Sequence, residues 1–366
     1  MLVVIPSFKR IDSLRWVLLS LFQAQANFPV PEPLRVVLVN NFPPARLALE
    51  EMVKNLQTDF ANQAELVSIS FLHREQTLNP VESWYSAIRE LAFPGEVVLL
   101  NGDDDLFLPR SLFLRHKYAV STEADLVLSR SEHGLLFMSD NLTCLCPSFV
   151  KMKDIDFSGA ISQEFIDSWG PAFIGNHCYR YTKNFIDALE LTELWCSKQS
   201  WIDSNTRTLM LPYYLPFALE RIGGVLQGLD MPCVIRGAGV VELRGAKFGV
   251  PGWNPGFLCW HAQNLLVTNG FFIEPSCSLN KMAADWFLTY FFDRRIRFSV
   301  LITCVRKIGL PQSWWHPSSI AFGSRILVTA WLGMRRMRQL RSSRNKTIAI
   351  SELLKSLLNE AVDVAA

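Results

Sequence analysis

The chain lacks the sequence signals of several common functional classes. No Gly-x-Gly-x-x-Gly follows the first apolar run and no Gly-Lys-Ser/Thr loop occurs, which argues against dinucleotide and P-loop chemistry. The 8 cysteines are scattered without a Cys-x-x-Cys pair, so we expect reduced, mostly buried thiols of a cytosolic protein and no zinc site. The formal net charge of +2 favours neither nucleic acid nor a strongly acidic partner.

Long apolar runs are also missing. The run Leu2–Ile5 stops at Pro6 and no basic segment precedes it, so it is too short for a signal peptide. The stretch Ile320–Met334 contains Arg325 and falls short of the roughly 20 apolar residues that a transmembrane helix needs. We therefore expect a cytoplasmic protein whose contact with a membrane, if it makes one, is peripheral and at the cytoplasmic face.

Short β-branched runs alternate with longer amphipathic stretches from residue 1 to about residue 130. This pattern predicts βαβ units and an α/β fold with a mostly parallel sheet flanked by helices. Strands are expected at Leu2–Pro6, Leu34–Asn40, Leu66–Leu72, Glu96–Leu100 and Ala124–Ser129, and helices at about 12–26, 45–59 and 80–92.

The acidic run Asn101–Asp105 follows the apolar stretch Val97–Leu100 directly. Three consecutive carboxylates repel one another, so such a run is typical of a place where a divalent cation neutralises them. An ordinary solvated turn is the alternative, because Asp and Gly are common turn residues. In open α/β sheets ligands bind beyond the carboxyl ends of the strands, and the acidic run would lie there.

Three segments in order resemble the signatures of family 2 glycosyltransferases with the GT-A fold: Val3–Arg10, Val36–Asn41 and Leu99–Pro109. In that family a Pro-Thr/Ser-Tyr-Asn-Arg-like turn follows the first strand, an Asp-Asn-like pair ends the second, and a DxD-type motif ends the fourth. The resemblance is good over about residues 1–115, weaker to about 240 and absent beyond. It implies a GT-A-like, Rossmann-like sheet, a nucleotide-sugar donor (a UDP-sugar above all) and metal-dependent transfer to an acceptor hydroxyl.

The resemblance also implies roles for individual residues of the first loops. Pro6, Ser7 and Arg10 fall where the family lines the nucleotide, and Asn40 stands where an Asp usually contacts the base or ribose. An amide can donate as well as accept hydrogen bonds, which leaves the identity of the base open. Arg74 is either a second nucleotide contact or a surface cation.

Within the acidic run, the resemblance places Asp104 at the usual metal-binding carboxylate, with Gly102 in place of the frequent first Asp. Asp103 and Asp105 could supply the outer carboxylates of a literal DxD motif. We assign Asp104 and Asp105 to the metal and Asp103 to the nucleotide sugar. All-oxygen ligation suits Mg²⁺ or Mn²⁺.

An inverting enzyme needs a general base for the acceptor hydroxyl, and the resemblance alone favours inversion. Asp203, beside Trp201, is the first choice, although it could equally be a residue favoured by a helix N-terminus. Further acidic candidates and two histidines that could complete a metal shell, or be structural, are Glu164, Asp167, Glu220, His177 and His261.

The chain changes character at about residue 250, so we divide it into a glycosyltransferase domain at 1–245 and a helical region at 246–366. The domain comprises a nucleotide-sugar half at 1–130 and an acceptor half at 131–245. The last region is rich in basic and aromatic residues, which favours contact with an anionic membrane surface or packing of a basic helical region on the domain. No nucleic-acid-binding module is visible.

Two functional classes remain. The first is an active, metal-dependent, hexosyltransferase-like enzyme that acts on a glycan or lipid-linked acceptor in cell-surface polysaccharide or glycolipid synthesis. The second is a non-catalytic relative of the same fold that binds a sugar nucleotide or a glycan. The intact acidic run favours the first class.

Overall fold

The computed structural model describes residues 1–78, 80–137, 142–146, 174–197, 211–240 and 346–363. The chain divides into a unit of Met1–Glu242 with Lys346–Ala366 and a unit of Leu243–Asn345, and all described residues belong to the first. The predicted domain boundary near residue 245 and the helical nature of the region beyond it stay predictions.

Four parallel strands form one half of the sheet: β1 (Leu2–Ser7), β2 (Leu34–Asn40), β3 (Val67–His73) and β4 (Val97–Leu100). They pair in the order β3-β2-β1-β4. Their β-branched and leucine runs suit strands that are covered on both faces. The connecting helices are α1 (Ile11–Asn27), α2 (Arg46–Asp59), α3 (Ala61–Ala64) and α4 (Pro80–Leu91).

The remaining strands extend the sheet beyond β4. They are β5 (Leu106–Phe107), β6 (Leu126–Phe137), β7 (Thr143–Cys146), β8 (His177–Arg180), β9 (Leu226–Val240) and β10 (Lys346–Ala349). The main path of the sheet runs β10-β7-β6-β8-β4-β1-β2-β3, and β8 is antiparallel to both β4 and β6. Off this path, β9 pairs with β6 and β5 pairs with β9. The other helices are α5 (Ser111–Ser121), α6 (Lys183–Ser197), α7 (Leu211–Arg221) and α8 (Ile350–Asp363). The predicted α/β class, with a mostly parallel central sheet flanked by helices, is confirmed.

The short strand β5 positions the acidic run. It pairs antiparallel with β9, so that Leu106 lies opposite Ile235 and Phe107 opposite Val234. The run Asn101–Asp105 therefore spans from the central parallel strand β4 to a strand that is anchored by a distant part of the chain. A loop fixed at both ends holds its side chains in defined places.

The core lies between the parallel strands and the helices that cover them. Leu14, Val17, Leu18 and Leu21 form the buried face of α1, at the spacing of one helical stripe. Burial of each such side chain stabilises the fold by about 1.5–3 kcal/mol. The last helix, α8, contributes Ile350, Leu353 and Leu354 to the same core, and β10 pairs antiparallel with β7.

Among the described residues no helix is both long and apolar enough to span a lipid bilayer.

Candidate functional site

Polar side chains collect at the carboxyl ends of the four parallel strands. Ser7 ends β1, Asn40 ends β2, His73 ends β3, and Asn101 follows β4. Ser7 lies opposite Asn40 and Asn40 opposite His73 in the strand register, so these ends form one edge of the sheet. The side chains of Ser7, Asn40 and Asn101 are buried. Polar groups at this edge of an open α/β sheet are placed to bind a ligand.

Arg10 is the cation that faces the acidic run. Its Nη2 lies 2.7 Å from Oδ1 of Asp103, and its Nη1 forms a second ion pair with Oδ2 of Asp104. The backbone N–H of Phe8 donates to Oδ2 of Asp103 at 3.2 Å. Burial opposes the charged form of Arg10, but the three neighbouring carboxylates more than offset this and raise its pKa above the ordinary value. The guanidinium therefore remains charged and balances part of the acidic run.

Asp105 makes a different set of contacts, which tie the acidic run together. Its Oδ2 accepts a hydrogen bond from the backbone N–H of Gly102 at 3.2 Å, and its Oδ1 accepts one from Gly237 at 2.9 Å. The carboxylate thus joins the loop after β4 to β9. Since both oxygens accept backbone hydrogen bonds, Asp105 has a loop-positioning role, and its assignment to the metal stays a prediction.

Two glycines make this arrangement possible. A Cβ at position 102 would lie 2.5 Å from Oδ2 of Asp105, and a Cβ at position 237 would lie 2.0 Å from the carbonyl oxygen of Asp104. Any side chain at either position would displace the acidic run. Gly102 thus has a physical reason, because the carboxylate of Asp105 occupies the space that a side chain would need there.

Asn101 supports the acidic run from inside. Its Nδ2 donates to the backbone carbonyl oxygens of Gly102 at 3.1 Å and Asp105 at 2.8 Å. The backbone carbonyl oxygen of Asn101 accepts the indole N–H of Trp84 at 3.2 Å. Its Oδ1 is buried and has no hydrogen-bond partner among the described residues. A buried acceptor without a donor suits a cation or a water beside the carboxylates.

The end of β2 is fixed by its two asparagines. Asn41 holds the backbone of Leu78 with both ends of its amide, donating to the carbonyl at 2.6 Å and accepting from the N–H at 2.7 Å. Asn40 accepts the N–H of Phe42 at 3.2 Å, and its Nδ2 lies 3.4 Å from Nδ1 of His73. The Nε2 of His73 lies 3.0 Å from Oε1 of Glu50, so a proton on Nε2 would leave Nδ1 to accept from Asn40. An aspartate at position 40 could not supply that donor.

An aromatic pair with a lysine lies beside the polar edge. The rings of Phe8 and Phe42 meet edge to face at a centroid distance of 5.4 Å. The ammonium of Lys9 lies 5.2 Å from the centroid of Phe8 and 4.5 Å from that of Phe42. Lys9 adopts a left-handed backbone with φ of 61°, which directs this turn. The sequence pattern did not predict this cluster, although Phe8 and Lys9 directly follow β1 and Phe42 lies two residues after the end of β2.

Arg74 approaches the site through its backbone, since its N–H donates to the carbonyl of Asn40 at 3.1 Å. Its guanidinium binds α4, with Nη1 at 2.7 Å from Oε1 of Glu90 and Nη2 at 2.8 Å from Oγ of Ser86. Pro6 lies opposite Val39 in the register of β1 and β2. The nucleotide-binding roles of Arg74 and Pro6 stay predictions.

The predicted acceptor residues contribute less. Asp203 lies outside the described residues, as do Glu164, Asp167 and His261. Glu220 is exposed on α7. His177 is fully buried in β8, where its Nδ1 lies 2.5 Å from the hydroxyl of Tyr179. Among the described residues no three His, Cys, Asp or Glu side chains converge as a ready-made metal-binding group.

No protein-family model and no curated protein matches the chain. The chain is similar to solved structures of TarS from S. aureus, with TM-scores below 0.5. One TarS structure has 13% identity and a TM-score of 0.41, with 84% of this chain and 53% of that chain covered. TarS 1–349 in complex with UDP-GlcNAc has 12% identity and a TM-score of 0.43, with 95% of each chain covered. The complex of TarS 1–349 with UDP has 13% identity, a TM-score of 0.43 and the same coverage.

This chain thus spans about half the length of the longer TarS chain. Identity and TM-score at this level assign no role to any residue of this chain.

Proposed function

We propose that the chain is a glycosyltransferase that transfers a sugar from a nucleoside-diphosphate donor, a UDP-sugar above all, to an acceptor hydroxyl with the help of Mg²⁺ or Mn²⁺. The observation that carries this proposal is the buried acidic run at the carboxyl end of β4, where Asp103 and Asp104 face Arg10. The three segments that resemble family 2 glycosyltransferases surround this point.

The charge of the acidic run supports a divalent cation. Three carboxylates and one guanidinium leave a formal charge of −2 in a place where each carboxylate residue is less than a tenth exposed. A diphosphate brought to this site would be repelled, because like charges at short range repel strongly where water is excluded. A divalent cation has the charge that balances the run and could accept oxygen ligands from both the protein and the diphosphate.

The oxygen atoms of the site fit such a cation. Asp104 and Asp105 offer carboxylate oxygens, and the buried Oδ1 of Asn101 has no donor among the described residues. Mg²⁺ and Mn²⁺ prefer oxygen ligands and keep several positions for water and phosphate. When bound, such an ion would supply positive charge for the departing diphosphate.

The residues around the run would bind and orient the donor. Arg10 provides a guanidinium whose planar fork suits phosphate oxygens. The ring of Phe8, 42% exposed, offers a flat apolar surface for the nucleoside. Ser7 and Asn40 end the adjoining strands and offer hydroxyl and amide groups for hydrogen bonds to the ribose or base.

On the acceptor side, Asp203 is proposed as the general base of an inverting reaction. We propose that the acceptor is a glycan or a lipid-linked molecule and that the reaction serves cell-surface polysaccharide or glycolipid synthesis. We also propose peripheral membrane contact through the basic region after residue 245. These parts rest on the sequence alone.

Replacement of Asp203 by Asn should leave donor binding intact and remove turnover, and a fully active variant would exclude the assignment of Asp203 as the general base.

Thermal unfolding with UDP, GDP or CMP, each with Mn²⁺, with Mg²⁺ or with a chelator, tests the proposal directly. We expect UDP with a divalent cation to raise the melting temperature, since ligands that bind only the folded state stabilise it. A panel of nucleotide sugars then tests hydrolysis and transfer. If none of the nucleotides stabilises the protein with either cation, donor binding is refuted. Stabilisation without turnover of any nucleotide sugar would favour the non-catalytic relative.

A further inference from the structure

We propose that Arg10 is a positioning residue that makes cation binding and nucleotide binding depend on each other. In the ligand-free site its guanidinium competes with a divalent cation for Asp103 and Asp104. An incoming diphosphate gives the guanidinium another anionic partner and so relieves the competition. This inference rests on the proposed function and adds a specific role for one residue.

The competition follows from the contacts of Arg10. Two different nitrogen atoms of the guanidinium bind two different carboxylates, so Arg10 bridges Asp103 and Asp104. Bridging ion pairs of this kind are strong when they are shielded from water, and the side chain of Arg10 is only 17% exposed. A cation that binds Asp104 must therefore share its carboxylate with the guanidinium or displace it.

The other carboxylates of the run give the guanidinium no equivalent place to go. Asp105 already accepts hydrogen bonds from the backbone N–H groups of Gly102 and Gly237, one on each oxygen. Asp103 is held by the N–H of Phe8 as well as by Arg10. A phosphate oxygen of the donor is a natural alternative partner, because arginine binds phosphate and carboxylate with the same planar fork.

Arg10 can exchange partners without a change of the fold. Its backbone is fixed at the start of α1, where its carbonyl accepts the N–H of Leu14 at 3.1 Å and the hydroxyl of Ser13 at 3.1 Å. The long side chain beyond this anchor has several rotatable bonds and reaches the partly exposed side of the site. A rotamer change is therefore sufficient to move the guanidinium from carboxylate to phosphate.

The electrostatic consequence has a definite sign. A guanidinium close to the cation site repels a divalent cation, so Arg10 weakens binding of the cation alone. The same guanidinium attracts a diphosphate, so Arg10 strengthens binding of the nucleotide. Because coupling between two ligands is reciprocal, the nucleotide should raise the affinity for the cation by the same factor as the cation raises the affinity for the nucleotide.

The test is calorimetric titration of the full chain with Mn²⁺ alone, with UDP alone, and with each in the presence of the other. For Arg10→Gln we expect Mn²⁺ alone to bind at least about tenfold more tightly than to the wild type, since a nearby positive charge has been removed. The factor by which UDP tightens Mn²⁺ binding should fall about tenfold. Circular dichroism and thermal unfolding in chelator establish that the variant is folded.

Two further variants isolate the cause. Arg15→Gln removes the same charge from the first turn and a half of α1, which Arg10 precedes, at a side chain that is 43% exposed, and it should leave both affinities unchanged. Arg10→Lys keeps the charge and loses the fork, so the affinity for Mn²⁺ alone should stay within about threefold of the wild type. This variant also carries the test if Arg10→Gln does not fold, because a tenfold gain in Mn²⁺ affinity on a retained charge would overturn the electrostatic explanation.

The outcomes separate this inference from the proposed function. If the wild type binds UDP with Mn²⁺ but Arg10→Gln binds Mn²⁺ alone no more tightly, the inference is overturned and the proposed function stands. If the wild type binds no UDP with or without Mn²⁺, the proposed function fails and the inference fails with it. Tighter Mn²⁺ binding by Arg10→Gln together with reduced coupling supports both.

Discussion

Asp125 and the three aspartates of the acidic run are all buried but have opposite surroundings. Asp125, which is 4% exposed, is held by three neutral donors: the hydroxyl of Thr182 at 2.6 Å, the amide of Asn184 at 3.0 Å and the backbone N–H of Val225 at 2.9 Å. Asp103, Asp104 and Asp105 of the acidic run follow one another in the chain, and all three act on the guanidinium of Arg10 through their charge. Fixed dipoles satisfy the single charge of Asp125, whereas the acidic run concentrates charge of one sign.

The contrast separates a carboxylate that neutral donors hold from carboxylates that lie among like charges. Thr182 and Asn184 lie at the start of α6 and Val225 directly precedes β9, so Asp125 joins two other segments to its own. An arrangement that serves stability alone has no reason to collect like charges, because their repulsion opposes folding. We infer that the acidic run is retained for a ligand that brings positive charge.

Replacement of Asp104 by Asn is the strongest test of this contrast. Loss of the carboxylate should abolish the stabilisation by UDP with Mn²⁺, because the cation loses an anionic ligand and the diphosphate loses its bridge. The unfolding free energy of the ligand-free protein should change little, since loss of the ion pair with Arg10 offsets the decreased repulsion within the run. Thermal unfolding with and without ligand measures both quantities.

Asp187→Asn provides the matched control, as it removes a partly exposed carboxylate that pairs with Lys183. It should preserve the response to UDP. Retained stabilisation in Asp104→Asn would show that Asp104 is not a cation ligand.

Replacement of Asp125 by Asn should have the reverse effect. The amide would place N–H groups against the donors that now bind the carboxylate, so the unfolding free energy should fall by about 2–4 kcal/mol. Nucleotide affinity should be unchanged in the fraction that remains folded. Urea unfolding and UDP titration measure the two effects, and a variant that loses UDP binding at full stability would reverse our assignment of the two groups.

The sequence predicted the elements that local pattern controls. The strands β1 to β4 were predicted to within one residue at each end, because apolar β-branched runs that are covered on both faces leave a clear signal. The strand expected at Ala124–Ser129 was too short, since β6 continues to Phe137. Its outer part pairs with β7 and with β9 across several bulges, and such non-local pairing is invisible in the local pattern.

The same limit applies to the site. The position of the acidic run followed from its place after β4 and from the resemblance. The bridge from Arg10 to two carboxylates and the contact of Gly237 with Asp104 did not, because each joins residues 90 or more positions apart. Gly237 lies within β9, and only the pairing of β5 with β9 shows that it packs against Asp104.

Replacement of Gly237 by Ala tests how closely the acidic run depends on this packing. The added Cβ would meet the backbone of Asp104, with its carbonyl oxygen at 2.0 Å and its carbonyl carbon at 2.6 Å, so the loop or β9 must shift. Overpacking of this kind costs about 1–3 kcal/mol of unfolding free energy. Because the shift displaces Asp104, we also expect weaker binding of UDP with Mn²⁺.

The two effects of Gly237→Ala are separable by urea unfolding without ligand and by calorimetric titration. Gly228→Ala, on the same strand β9, is the matched control and should retain UDP affinity. Unchanged affinity in Gly237→Ala would mean that the position of the acidic run is set without β9.

Two buried thiols, those of Cys178 and Cys233, differ from both sets of aspartates because burial keeps them uncharged. Burial raises the pKa of Cys178 to about 12 and also raises that of Cys233, and the nearby charge of Arg115 offsets only part of this effect. The folded state therefore keeps both protons where the unfolded chain begins to lose them. Their contribution to stability is complete below the ordinary thiol pKa and is lost as the pH rises towards 12.

We expect iodoacetamide to alkylate neither thiol in the native protein at pH 8 and to alkylate both in urea. Between pH 8 and pH 10 the urea midpoint of the wild type should fall, and that of Cys178→Ala should fall by less. Rapid alkylation of either cysteine in the native protein would show an accessible thiolate, and the surroundings of that cysteine would then differ from the neutral ones of Asp125.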